Sequence, residues 1–318
     1  MRPEPGNGRP HHAQCRTSCL RVNGTPETTS MGEDASRTRP AHPHATPPVH
    51  THTVLPHLPT PAHPYLDGPY PRAFAHRGWH LDELAGMENS LSGFRRAVKE
   101  GFSYLETDVH ATSDGVVVVH HDDLLDRTTD GVGAVADQLW ASVKQAKVGG
   151  VEPIARLEDL LEELPEAYLN VDVKSDSAVA PVLRLLQRLG AWDRVALASF
   201  SERRLARLRR LAGPRLMTAL GPRSAGLLWA GGRIRPLAAK ALVKGSLAQV
   251  PATAGKLTVV DQRFVAAAHR LGIEVHVWTI DTTEEMTALL EVGVDGLVTD
   301  RPDLLREVLR SRSQWPAG

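Results

Sequence analysis

The chain has 318 residues, 42% of them hydrophobic, enough for one large α/β domain and an appendage. Lys+Arg and Asp+Glu balance at 37 each, and a net charge of zero gives no electrostatic ground for nucleic acid as a partner. Cysteine is confined to Cys15 and Cys19, which excludes a disulfide framework for the folded part and leaves two incidental thiols.

Residues 1–68 hold eight of the fifteen histidines and more than half of the prolines, with almost no apolar runs. Such a segment buries too little surface to offset its ordering entropy, so a disordered extension is expected. Its histidines are scattered among prolines without ligand spacing, which argues against a metal site. No apolar signal-peptide stretch follows Arg2, Arg9 or Arg16, and no run approaches the ~18 residues of a membrane span. A cytoplasmic location is the resulting expectation.

After Tyr70-Pro71, short β-rich runs alternate with helical patterns. Ala73–His76 is an apolar strand ending in His76-Arg77-Gly78, and an arginine at a strand end offers a fork of donors suited to phosphate. Asn89-Ser90 caps a helix over Leu91–Glu100. The strand Tyr104–Val109 puts Glu106 and Asp108 on one face, which His110 extends towards a mouth. Two carboxylates at that spacing grip one hard divalent cation through oxygen. Past the turn Ser113-Asp114-Gly115, the run Val116–His121 ends in a histidine, a proton-transfer group beside the carboxylates. His120 has the opposite parity and is assigned to packing, while Asp122 and Arg127-Thr128-Thr129 are expected to hold the His121 loop.

A helix over Leu157–Leu164 leads to the strand Tyr168–Val173, where Asn170, Asp172 and Lys174 share a face. Helices over Val179–Leu189 and Ser201–Leu211 alternate with strands Val195–Ser199 and Met217–Leu220. Leu227–Lys244 is basic and apolar, a surface helix and loop that gives the sequence its one hint of membrane contact. A strand near Ala248–Val250, a helix over Arg263–Leu271, a strand Glu274–Thr279 carrying His276 and Trp278 towards the mouth, and a helix over Thr283–Val292 follow. Gly296–Thr299 is the last strand, and Pro302 opens the last helix.

Repeated β-then-α units call for a parallel sheet with helices outside. Candidate residues stand at the ends of early, middle and late strands. A closed barrel gathers all strand ends at one mouth, whereas an open sheet spreads them apart, so a TIM (β/α)8 barrel is predicted over residues 69–312, with a tail at 313–318. Nine strand segments are counted for eight staves, so either Val116–His121 or the run near Val250 is expected to be irregular.

The ordered motifs His76-Arg77-Gly78, Glu88-Asn89-Ser90, Glu106-x-Asp108, His121-Asp122 with Asp126-Arg127-Thr128-Thr129, Asp172-x-Lys174, Trp278-Thr279 and Thr299-Asp300-Arg301-Pro302 resemble the glycerophosphodiester phosphodiesterase family. The resemblance covers about residues 72–310. It implies a metal-dependent enzyme that hydrolyses glycerophosphodiesters, small-molecule substrates, to an alcohol and sn-glycerol 3-phosphate. His76 and His121 match the catalytic histidines. Glu106 and Asp108 match metal ligands, and Asp172 stands where the family usually has glutamate. Arg77 and Lys174 match phosphate-contacting cations, and Trp278 matches an aromatic residue at the mouth. One divalent cation is implied, Mg2+, Ca2+ or Mn2+. Two other readings stay open: a lysophospholipase D acting at a membrane surface, and a barrel that binds phosphodiesters without turnover.

Overall fold

The computed structural model describes residues 63–233 and 242–316. Residues 1–62, with Cys15 and Cys19 and most of the expected extension, lie outside the described residues, as do 234–241 and 317–318. The strands are β1 (Arg72–His76), β2 (Tyr104–Ala111), β3 (Val117–Val119), β4 (Lys147–Val148), β5 (Glu152–Pro153), β6 (Tyr168–Val173) and β7 (Val195–Ala198). They continue with β8 (Met217–Thr218), β9 (Leu247–Pro251), β10 (Thr253–Ala254), β11 (Leu257–Thr258), β12 (Glu274–Trp278) and β13 (Gly296–Thr299).

Eight strands pair in the order β8-β7-β6-β2-β1-β13-β12-β9, each pair parallel. The two ends of this path meet. Ala219 and Leu247 form a parallel bridge. Leu220 N donates to Leu247 O at 2.7 Å and Ser246 N to Thr218 O at 2.8 Å. The predicted barrel is therefore present and closed. The surplus ninth segment is β3, which pairs antiparallel with β2 and is no stave. The run near Val250 is the regular stave β9.

The helices are α1 (Leu91–Lys99), α2 (Trp140–Val143), α3 (Leu157–Glu163), α4 (Val179–Leu189), α5 (Glu202–Ala212), α6 (Pro222–Arg233), α7 (Gln262–Arg270), α8 (Thr283–Val292) and α9 (Pro302–Ser311). Side-chain caps start several of them. Ser90 Oγ accepts from Gly93 N at 3.0 Å, and Asp261 Oδ1 from Phe264 N at 2.8 Å, satisfying amides that have no intrahelical partner. Gly190 ends α4 at φ 62°, a left-handed conformation that costs glycine little. No helix among the described residues is long and apolar enough to cross a membrane.

The main core lies between staves and helices, where leucine and valine dominate. A smaller cluster fills the barrel floor around Tyr65, Phe74, Tyr104, Met217, Leu247 and Val298. Tyr65 comes from a turn (Pro64–Leu66) inside the segment that composition assigns to the extension, yet it is 0% exposed. It meets Tyr104 edge-on at 5.6 Å, and its carbonyl accepts from Tyr104 Oη at 2.7 Å. Emptying a site of that size costs about 3–5 kcal/mol, so the turn Pro64–Leu66 packs as part of the barrel floor. At the other terminus Trp315, expected in the tail, packs edge-on against Phe102 at 4.9 Å.

Asp295 ties the floor to α7. Its carboxylate accepts from Tyr70 Oη at 3.0 Å and Val275 N at 2.7 Å, and lies 2.7 Å from His269 Nε2. The bond to Asp295 raises the His269 pKa against the opposing effect of burial. A raised folded-state value stabilises fully below the ordinary histidine value of about 6.5 and is lost as pH rises through the folded value. Denaturant melts taken from acid to alkaline pH should show that loss, and His269→Gln should flatten it. An unchanged slope in the variant would remove the assignment.

Candidate active site

At the carboxyl ends of the staves lies a cavity of about 410 Å³. Every residue singled out for chemistry lines it: His76, Arg77, Glu106, Asp108, His121, Asp172, Lys174 and Trp278. Strand register explains the gathering. His76 pairs with Glu106, Glu106 with Asn170, and Asp108 with Asp172, so adjacent staves deliver their inward side chains at matching heights.

The two histidines are held alike. His76 Nδ1 lies 2.6 Å from Asp300 Oδ1, and His121 Nδ1 lies 2.5 Å from Asp122 Oδ1. In each ring Nε2 is left as the nitrogen for proton exchange. His76 Nε2 stands 3.6 Å from Glu106 Oε2. Burial pulls the His76 pKa down, but Glu106 and Asp300 outweigh it and leave the value raised. Asp300 is also 3.1 Å from His80 Nε2; burial opposes its ionisation, yet the two histidines hold its pKa far below the usual carboxylate range.

The carboxylates differ in kind. Asp108 accepts from Asn89 Nδ2 at 3.0 Å and is ion-paired with Lys174 Nζ at 2.8 Å and with Arg77 Nε at 3.1 Å. Burial opposes its charge, but Lys174 and Arg77 win and depress its pKa. Glu106 is fully buried, and that burial, with the charge of Asp108, raises its pKa strongly. Burial likewise raises Asp172, against the pull of Lys174 at 2.8 Å.

Lys174 Nζ bridges Asp108 and Asp172, and no group of three His, Cys, Asp or Glu among the described residues stands ready-made for a metal ion. The donor chemistry nonetheless fits a hard cation. Glu106 Oε2, Asp172 Oδ1 and Asn170 Oδ1 are buried acceptors with no hydrogen-bond partner. Buried unpaired oxygens are costly, and oxygen is the ligand type that Mg2+ and Ca2+ take.

A chain of ion pairs joins the two halves of the site. Glu88 accepts from Arg77 Nη1 at 3.0 Å and from Arg127 Nη2 at 2.8 Å, and Arg127 Nε donates to Asp122 at 2.5 Å. Asp122 and Arg127 thus hold the His121 loop as the sequence suggests. Asn89 adopts a left-handed backbone at φ 58°, which asparagine tolerates, and bonds both Thr107 and Asp108.

Two histidines stand elsewhere than expected. His110 does not reach the mouth: it is buried, and its Nε2 lies 3.1 Å from the carbonyl of His121, fixing that residue's backbone. His276 lies deeper in the barrel, fully buried against Phe74 and 3.1 Å from Glu274 Oε2, because Trp278 occupies the outer level of the same stave face. Asp300 and Glu88 have no role read from sequence and Asn89 only that of a helix cap, although the motifs that contain them were the available signal. Phe200, which meets Trp278 edge-on at 5.7 Å, carried no signal at all.

Opposite the charged wall the cavity is apolar, lined by Phe200, Leu220, Pro222, Ala225 and Val250. A site with paired histidines, buried carboxylates and two cations on one side suits metal-assisted attack on a phosphoester.

Comparison with known proteins agrees. Residues 76–304 match the model of the glycerophosphoryl diester phosphodiesterase family. The chain is 40% identical over 248 residues to a Mycobacterium tuberculosis protein named probable glycerophosphodiester phosphodiesterase 2, covering 76% of this chain and 92% of that one. It is 28% identical over 256 residues to a glycerophosphodiester phosphodiesterase of Caldanaerobacter subterraneus, covering 74% and 96%. The crystal structure of a glycerophosphodiester phosphodiesterase from Agrobacterium tumefaciens superposes with a TM-score of 0.61 at 26% identity, covering 74% of this chain and 98% of that one. With the barrel, the cavity and 229 consecutive positions of family match in agreement, the chain belongs to the glycerophosphoryl diester phosphodiesterase family.

Proposed function

We propose that the protein hydrolyses glycerophosphodiesters to an alcohol and sn-glycerol 3-phosphate with the help of one divalent cation, in the cytoplasm. The observation that carries this reading is one cavity holding two carboxylate-anchored histidines together with the unpartnered oxygens of Glu106 and Asp172.

Glu106, Asp108 and Asp172 would hold the cation, which would supply positive charge to a phosphate oxygen. Arg77 and Lys174 stabilise charge on the remaining phosphoryl oxygens. One histidine accepts the proton of the attacking hydroxyl, from water or from the glycerol itself, and the other gives a proton to the departing oxygen. Asp122 and Asp300 keep the two rings oriented, and Asp300 favours the protonated form of His76. Trp278 and Phe200 shape the mouth.

Purified protein should release sn-glycerol 3-phosphate from glycerophosphocholine, lose that activity in EDTA, and regain it with Mg2+, Ca2+ or Mn2+ added singly. No release with any of the three ions would sink the reading. The apolar wall and exposed Phe200 favour one second reading, in which the substrate keeps an acyl chain. Lysophosphatidylcholine assayed beside glycerophosphocholine separates the two.

A further inference from the structure

Between Val179 and Arg233 the chain has eleven arginines, no lysine, and only Asp193 and Glu202 as acidic residues. The whole chain is neutral, so the rest is net acidic and the positive charge is concentrated on the flank built from α4, α5 and α6. Helical spacing arranges it. Arg203, Arg207 and Arg210 are four and three residues apart, forming one exposed stripe of α5, and Arg184 and Arg188 do the same on α4. The remaining arginines of α5 are spent within the fold: Arg204 bonds Asp176 and the Val173 carbonyl, and Arg209 bonds Thr218 and the Ala219 carbonyl. Arg203 and Arg188 are paired with Asp176 and Glu158. Arg184, Arg210 and Arg223 are exposed, with no acidic partner within ion-pair distance among the described residues.

The same flank forms the apolar side of the mouth. Phe200 precedes α5 and is 65% exposed, and Pro222 opens α6 beside exposed Arg223. Both Phe200 and Pro222 also line the cavity. An exposed aromatic ring at a rim, with exposed Arg203 and Arg223 at the mouth ends of α5 and α6 and an apolar wall continuous with it, matches a surface that is anionic and has an apolar interior. We propose that this flank docks on bilayers containing anionic phospholipid and turns the mouth towards them. A glycerophosphodiester is a phospholipid stripped of its acyl chains, so docking places the site where a deacylating reaction would supply its substrate. A soluble polyanion such as RNA would use the arginines but not the apolar rim.

The test is co-sedimentation of the full chain with vesicles of phosphatidylglycerol and phosphatidylcholine, against phosphatidylcholine alone, at low and raised salt. Binding should need the anionic lipid and weaken with salt. A combined Arg203→Gln, Arg207→Gln, Arg223→Gln variant should bind about a hundredfold more weakly, since each basic residue near the surface contributes comparably. Its kcat/KM on soluble glycerophosphocholine should be unchanged. Lysine at those three positions should retain binding, and so should a control carrying Lys99→Gln, Lys144→Gln and Arg310→Gln on other faces. The proposal is overturned if anionic vesicles do not bind at low salt, if phosphatidylcholine binds equally, or if the glutamine variant binds like the parent. Tighter binding to single-stranded RNA than to vesicles at equal salt also overturns it.

Discussion

Replacing His121 with alanine is expected to lower kcat/KM on glycerophosphocholine by about 10²–10⁴-fold while the protein stays folded. The residue is held at two points, one on the ring and one on the backbone. Asp122 lies 2.5 Å from Nδ1, and buried His110 fixes the backbone carbonyl at 3.1 Å. Such fixation fits a proton-transfer group whose Nε2 must meet substrate in one orientation. The side chain is partly exposed and packs in none of the hydrophobic clusters, so stability should move by no more than about 0.5 kcal/mol. Asp122→Asn keeps the ring but weakens its orientation, so its loss should fall between those of the parent and the alanine variant. Full turnover in His121→Ala would show that the proton passes elsewhere.

Glu106→Gln should abolish turnover and, in EDTA, make the protein more stable. The reasoning rests on the direction of the Glu106 pKa. Burial and Asp108 push it up to about 8, so at neutral pH folding must either draw a proton onto Glu106 or hold its charge in surroundings that disfavour it. A carboxyl with a raised folded-state pKa loses stability as pH climbs above its unfolded value, the reverse of a salt-bridged carboxylate. Glutamine removes the charge at nearly constant shape. A gain of about 1–2 kcal/mol is the scale on which relief of active-site electrostatic strain is seen. Thermal melts with and without Mg2+ provide the check. The parent should gain stability with the ion by mass action, and the variant should gain much less. A variant that is destabilised in EDTA, or that responds to Mg2+ like the parent, would remove Glu106 from the ligand set.

The sequence carried the staves well where alternation was strong. β2 and β6 have apolar residues on one face and chemistry on the other, which a period of two exposes directly. It carried the motifs too, because most of them sit at strand ends and the others in the loops that follow. What it hid was lateral. The pairing of Asp108 with Asp172 is fixed by register between β2 and β6, 64 positions apart in the chain. The bridge from Arg127 to Glu88 joins two loops 39 residues apart, and Asp300 reaches His76 across 224. None of these distances leaves a local pattern. β8 is only two residues long, too short to show a period, so barrel closure had to be inferred from where the chemistry lies. Tyr65 was hidden for the opposite reason. A lone aromatic among prolines and histidines has the composition of a tail, and only the hollow that it fills reveals its place.

That hollow makes Tyr65 a reporter. Chymotrypsin cleaves after tyrosine, yet this one is sealed beneath Tyr104 and Tyr168. The protease reaches it only when the floor opens, so the rate of cleavage measures how often the floor opens. A divalent ion bound at the far end of the staves would slow cleavage at Tyr65 only if mouth and floor open as one cooperative unit. The same digestion would therefore tell whether the barrel breathes locally or opens as a whole.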